Sequence, residues 1–131
     1  MSKNNNIISC DKISTMSPQK LAFIGDAVYE LMVRCKIVES YEGNIGSLNS
    51  VKIKNVCCSA QSELYEKIKD DLSEKEIEIY KRGRNAVVSG FPKKISPCVY
   101  HRATGVEALF GYLYLVGKYA RLEKFIEKLE L

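Results

Sequence analysis

The chain lacks the cysteine and histidine patterns of disulfide and zinc chemistry. Its five cysteines, Cys10, Cys35, Cys57, Cys58 and Cys98, form an odd set with no C-x-x-C pair, and His101 is the only histidine. Neither a disulfide framework nor a zinc site follows from that set. Reduced thiols in a cytosolic protein are the expectation. No stretch approaches the eighteen or so apolar residues that cross a bilayer. Met1 to Asp11, with Asn4, Asn5 and Asn6, lacks the apolar core of a secretory signal. We therefore expect a cytoplasmic protein with no membrane partner.

Acid is missing locally. From Lys81 to Val106 there is no Asp or Glu, although Lys81, Arg82, Arg84, Lys93, Lys94 and Arg102 all carry positive charge. The net charge of the whole chain is only +4, so the distribution says more than the total. A concentrated basic segment is the footprint of a phosphate-bearing partner. A solvated basic loop has the same composition.

What is present reads as helix. The 131 residues, 46% hydrophobic and 27% charged, suit one globular domain over 1–131, with 1–15 expected as a flexible N-terminal segment. Ser17-Pro18 is a cap followed by proline at the first helical position, and Leu21, Ile24, Val28 and Leu31 recur at helical spacing to about Val38. Glu39 to Gly46 reads as a loop, after which Ser47 can cap a second helix running to about Ile68. Ser73-Glu74-Lys75-Glu76 is a capping box opening a third helix, expected to end near Arg82-Gly83. Gly83 to Ser96, with Gly83, Gly90 and Pro92, has no sustained period and reads as a long basic connection. Ser96-Pro97 starts a fourth helix to about Val116, stopped by Gly117, and Ala120 to Leu131 forms a last amphipathic one. No strand pattern, internal repeat or low-complexity tract competes. The expected fold is all-α.

Two runs break the rules of that pattern. Leu21-Ala22-Phe23-Ile24-Gly25-Asp26-Ala27-Val28 and Val106-Glu107-Ala108-Leu109-Phe110-Gly111 each set an acid beside glycine in an apolar helix. Glycine there costs about 1 kcal/mol relative to alanine, and a carboxylate among apolar neighbours is costly unless compensated. Helices pressed together at Gly25 and Gly111 would explain the glycines. Asp26 and Glu107 would then share a divalent cation, Mg2+ being satisfied by one or two carboxylates plus water and phosphate. Ordinary helix acids neutralised by Arg34 or Arg102 fit the same spacing. Glu30 is the weaker candidate, because Arg34 lies one turn away. His101 suits phosphate contact or simple exposure better than general-base catalysis. The apolar face of Tyr29, Leu31, Met32 and Val33 is wider than one core stripe requires, consistent with a self-paired helix or with burial under the later helices. Tyr112, Tyr114 and Tyr119 read as core or dimer contacts.

At these residues the chain resembles a known family. Phe23-Ile24-Gly25-Asp26-Ala27-Val28 is similar to the signature helix of the ribonuclease III catalytic domain, and Val106 to Gly111 to its second acidic motif. Lys81-Arg82-Gly83-Arg84-Asn85-Ala86, Pro92-Lys93 and Tyr100-His101-Arg102-Ala103-Thr104 resemble more narrowly the short bacterial branch, Mini-ribonuclease III, which lacks a double-stranded-RNA-binding domain. The likeness runs from about Met16 to Leu129. It implies a ribonuclease III catalytic-domain helical bundle and an endoribonuclease with Asp26 and Glu107 as catalytic and metal-binding residues. Mg2+ is the implied cofactor, with Mn2+ able to substitute. Lys81, Arg82, Arg84, Asn85, Lys93, Lys94, His101 and Arg102 are the candidate RNA contacts. The resemblance further implies a homodimer acting on double-stranded RNA, maturation of precursor 23S ribosomal RNA to 5′-phosphate and 3′-hydroxyl ends, and help from a large-subunit ribosomal protein. Longer ribonuclease III enzymes have acids where this chain has Gln19, Ala22 and Thr104. Those departures fit the short branch, and they also fit a non-catalytic RNA-binding module of the same fold.

Overall fold

Residues 8–86 and 95–130 are described by the computed structural model, and every regular element among them is helical. The order is α1 (Cys10–Thr15), α2 (Pro18–Ser40), α3 (Ile45–Val56), α4 (Cys58–Ile68), a 3-10 turn (Lys69–Asp71), α5 (Glu74–Asn85), α6 (Pro97–Leu115) and α7 (Tyr119–Ile126). No described helix is long and apolar enough to cross a membrane.

Helix starts follow local chemistry. Ser17 Oγ accepts from the Lys20 amide at 3.3 Å and Ser96 Oγ from Val99 at 3.2 Å, each with proline next in line. Ser73 and Glu76 exchange both bonds of a capping box, at 3.2 and 2.8 Å. Gly117, with φ of +81°, ends α6 in the left-handed region that glycine occupies without strain.

α6 is apolar around most of its circumference, and such a helix belongs in the middle. It packs on α2, α4, α5 and α7. Val106, Leu109, Phe110 and Leu113 meet Tyr29 and Val33 of α2, Leu64 and Ile68 of α4, and Phe125 of α7 in the main core. A smaller cluster joins Ile13, Leu21, Ala22, Ile79, Ala108 and Leu115.

Four details differ from the sequence expectations. Residues 10–15, expected to be flexible, form α1, because Ile13 is buried in the smaller cluster and Ser9 caps the turn; residues 1–7 lie outside the described part. The single helix expected from Ser47 to Ile68 is two. Asn44, not Ser47, caps α3, its Oδ1 accepting from the Ser47 amide at 2.9 Å, and an extended Cys57 divides α3 from α4. The break leaves the Asn55 carbonyl without a helical partner, and the Tyr29 hydroxyl donates to it at 2.9 Å. α5 runs through Gly83 to Asn85, so that glycine sits inside a helix. α7 ends at Ile126, although Leu129 beyond it is still buried.

Candidate metal centre and nucleic-acid interface

α2 and α6 cross with their backbones in contact. A Cβ on Gly25 would overlap the Glu107 carbonyl and come within 2.8 Å of the Gly111 nitrogen; one on Gly111 would overlap the Leu21 carbonyl. The two glycines therefore admit a crossing that any larger residue would separate. A second close crossing joins α5 to α6, where a Cβ on Gly83 would lie 2.6 Å from the Ala108 Cβ, and one on Gly105 2.6 Å from the Tyr80 ring.

The first crossing puts Asp26 and Glu107 side by side, close enough for one carboxyl to act on the titration of the other. Asp26 is at the surface, while Glu107 is largely covered. Burial, followed by the neighbouring Asp26 charge, pushes the Glu107 carboxyl up to about 8, against its bond from Gln61. Gln61 Nε2 donates to Glu107 Oε2 at 3.3 Å. Burial and the same carboxylates also raise the Cys58 thiol.

The two arginines that the sequence offers as partners for these acids are engaged elsewhere. Arg34 pairs with Glu30 at 2.7 Å and Arg102 with Glu66 at 3.3 Å. Among the described residues no lysine or arginine pairs with Asp26 or Glu107. Glu30, paired also to Lys52 at 3.9 Å, is an ordinary ion-pair residue. No group of three or more His, Cys, Asp or Glu that could hold a metal occurs among the described residues. Two carboxyl groups without a basic partner suit Mg2+, which keeps several waters, better than an all-protein cage.

The positions that depart from the longer enzymes are filled differently. Ala22 is buried in the smaller core cluster. Thr104 turns its hydroxyl to the Tyr100 carbonyl at 3.1 Å, and Gln19 Nε2 donates to the Ala86 carbonyl at 3.3 Å.

A protein-family model for the ribonuclease III domain matches residues 19–118. This chain belongs to the ribonuclease III family. Within it the Mini-ribonuclease 3 proteins are its relatives. That of a Thermoanaerobacter strain is 42% identical, the match covering 95% of this chain and 88% of the relative. That of Symbiobacterium thermophilum is 37% identical, covering 86% and 87%. A crystal structure of a Fusobacterium nucleatum protein superposes with a TM-score of 0.80 at 35% identity, over 88% of this chain and 93% of that one. The all-α fold is that of the ribonuclease III catalytic domain, and membership makes the chain an endoribonuclease.

The basic candidates divide by location. Lys81 and Asn85 are exposed on the last turns of α5. Arg84 donates to Asn85 Oδ1 at 3.0 Å and lies over the Tyr80 ring. Arg82 is half-buried and donates to the Met16 carbonyl at 3.1 Å, closing the junction of α1 and α2. His101 and Arg102 are half-buried on the first turns of α6. Lys93 and Lys94 lie outside the described residues.

Sequence reasoning missed two cations and one amide. Arg121 binds both oxygens of Glu76, at 2.8 and 2.9 Å, and also the Asp71 carbonyl. Lys36 donates to the carbonyls of Ile126, the last residue of α7, at 3.0 Å and of Leu129 beyond it at 2.7 Å. Gln61 is the amide, and only its place in an apolar helical face could have flagged it.

Proposed function

We propose that this chain is a Mg2+-dependent endoribonuclease of double-stranded RNA that matures precursor 23S ribosomal RNA. The supporting observation is the carboxylate pair Asp26 and Glu107, brought together by two glycines and left without a lysine or arginine partner among the described residues. A bound Mg2+, or Mn2+ in its place, would supply an activated water and neutralise charge developing on the phosphodiester, with 5′-phosphate and 3′-hydroxyl ends resulting. The chain's own part is positional: Gly25 and Gly111 bring the helices together, and the core beneath Glu107 limits water on one side.

Lys81, Arg84, Asn85, Lys93, Lys94, His101 and Arg102 are the proposed contacts to phosphates and 2′-hydroxyls, through which duplex RNA is mainly read. Binding through so small a surface should weaken steeply with salt. An affinity that stays flat from low to physiological salt would count against this assignment.

A homodimer is part of the proposal. Phe23, Ala27 and Leu31, one turn apart on α2, form an uncovered apolar stripe, with Phe23 80% and Leu31 60% exposed. Leu31 borders a cavity of about 380 Å³ lined also by Ile24, Met32, Tyr114 and Tyr119. A second copy of the chain would cover this face and double the basic surface. Leu31→Glu should then shift the protein to monomer in sedimentation. A large-subunit ribosomal protein, presenting the folded RNA, is the proposed helper, and the cytoplasm the proposed location.

A non-catalytic RNA-binding module is the second reading, favoured by the absence of acids at Ala22 and Thr104. Incubation with a long RNA duplex separates the two. Metal-dependent cleavage, lost in Asp26→Asn with the fold intact, supports the enzyme. Wild-type cleavage by Asp26→Asn would sink the site assignment, and binding without cleavage would favour the module.

A further inference from the structure

Gln61 is an unusual residue to find in this core. Only 1% of its surface is exposed, and a buried amide is costly unless hydrogen-bonded. With Leu64 and Ile68 it lies on the buried face of α4, at helical spacing of three and four residues. The two leucine-like neighbours serve the core. Gln61 instead sends its amide to Glu107 Oε2 at 3.3 Å.

The break at Cys57 makes this possible. α4 restarts at Cys58, packs on α6, and buries Gln61, whereas α3 before the break buries no residue fully. Thr104, one turn before Glu107 on α6, is committed to the Tyr100 carbonyl. Among the described residues, Gln61 is the side-chain amide that donates to the Glu107 carboxyl group.

We propose that Gln61 is a positioning residue of the metal centre, its amide holding the Glu107 side chain beside Asp26 before the cation arrives. The inference rests on the reading of Asp26 and Glu107 as metal ligands. A carboxylate already restrained by a donor loses less rotamer freedom when it binds an ion. Donors that orient metal ligands typically change metal affinity about 10- to 100-fold when removed. The chemistry is asymmetric in a useful way. Gln61 is buried and is not one of the proposed RNA contacts, so its loss should act through metal and not through RNA.

The test is Mn2+ titrated into the RNA-free full chain and followed by electron paramagnetic resonance. Gln61→Met conserves most of the volume and removes the donor. Its Mn2+ affinity should fall about 10- to 100-fold, cleavage should return to the wild-type kcat at saturating Mg2+, and the KM for RNA should not change. Gln61→Asn, polar but one methylene too short, carries the same prediction should the Met variant fail to fold. Wild-type Mn2+ affinity in a folded Gln61 variant, with affinity lost in Asp26→Asn, would overturn the role of Gln61 alone. A lowered Tm with unchanged Mn2+ affinity would do so too, leaving Gln61 a packing residue. Failure of the wild-type chain to bind Mn2+, or wild-type affinity in Asp26→Asn, would overturn the ligand assignment itself.

Discussion

Gly25 of α2 lies directly against the backbone carbonyl of Glu107 in α6, with no space for a Cβ between them. The residue that brings one acid to the site thus touches the main chain of the residue that supplies the other. Geometry and chemistry are fixed at the same point of contact.

Gly25→Ala weighs two opposing effects. Alanine favours the helix by about 1 kcal/mol, whereas forcing the backbones apart in a packed core costs about 3 kcal/mol or more. The clash wins. Denaturant unfolding should show a net loss of about 2 kcal/mol or more, and cleavage should fall even where the variant still folds.

Glu107 sets a pH dependence of the metal-free protein. Its carboxyl, raised from 4.5 to about 8 by burial and then by Asp26, binds a proton more tightly folded than unfolded. Its contribution to stability is fully present below about 4.5 and lost as pH rises through about 8. Without divalent ions, Glu107→Gln should therefore melt above wild type at pH 8 and close to it at pH 4.5. Mg2+ should raise the wild-type Tm and leave the variant unmoved. A variant less stable than wild type at pH 8 would refute the desolvation argument.

Glu76 behaves oppositely. Burial alone would raise its carboxyl, but hydrogen bonds from Arg121 and the Ser73 amide outweigh burial and hold it below 4.5. Its stabilisation is present above 4.5 and lost as pH falls through the lowered value. Arg121→Leu strands a buried carboxylate and should cost about 3 kcal/mol at neutral pH. The difference from wild type should shrink in acid, leaving the part due to the Asp71 carbonyl, measured by urea unfolding across the pH range.

Lys81 and Arg82 are neighbours with different expected phenotypes. Lys81→Ala should leave Tm unchanged and lower the salt slope of RNA binding by about one. Arg82→Ala leaves the Met16 carbonyl unpaired and should cost about 1–2 kcal/mol of stability. Equal losses of stability in both variants would contradict the division drawn from their burial.

Much of this was legible in the residues. Ser17-Pro18, the Ser73 capping box and Ser96-Pro97 announce their helices because caps are local chemistry. The misplaced glycines at 25 and 111 announce a helix crossing because nothing else compensates their cost. Gly83 misled for the same reason: a glycine near a helix end signals a stop unless a partner helix is known to lie against it. The break at Cys57 had no Pro or Gly to mark it, and it is settled by the packing of α4 on α6. Arg121 and Lys36 act on groups 45 and 90 residues away, a distance at which no local pattern survives. Gln61 was invisible on similar grounds, since its partner lies 46 residues away.

The crossing of α2 and α6 also orders events in time. The ribosome synthesises Asp26 81 residues before Glu107, that is, 107 less 26. Until α6 emerges, α2 presents bare glycine and a lone carboxylate, with no second acid beside it. The contact of α2 with α6, and with it the pairing of Asp26 and Glu107, therefore forms only when the late helix docks on the early one.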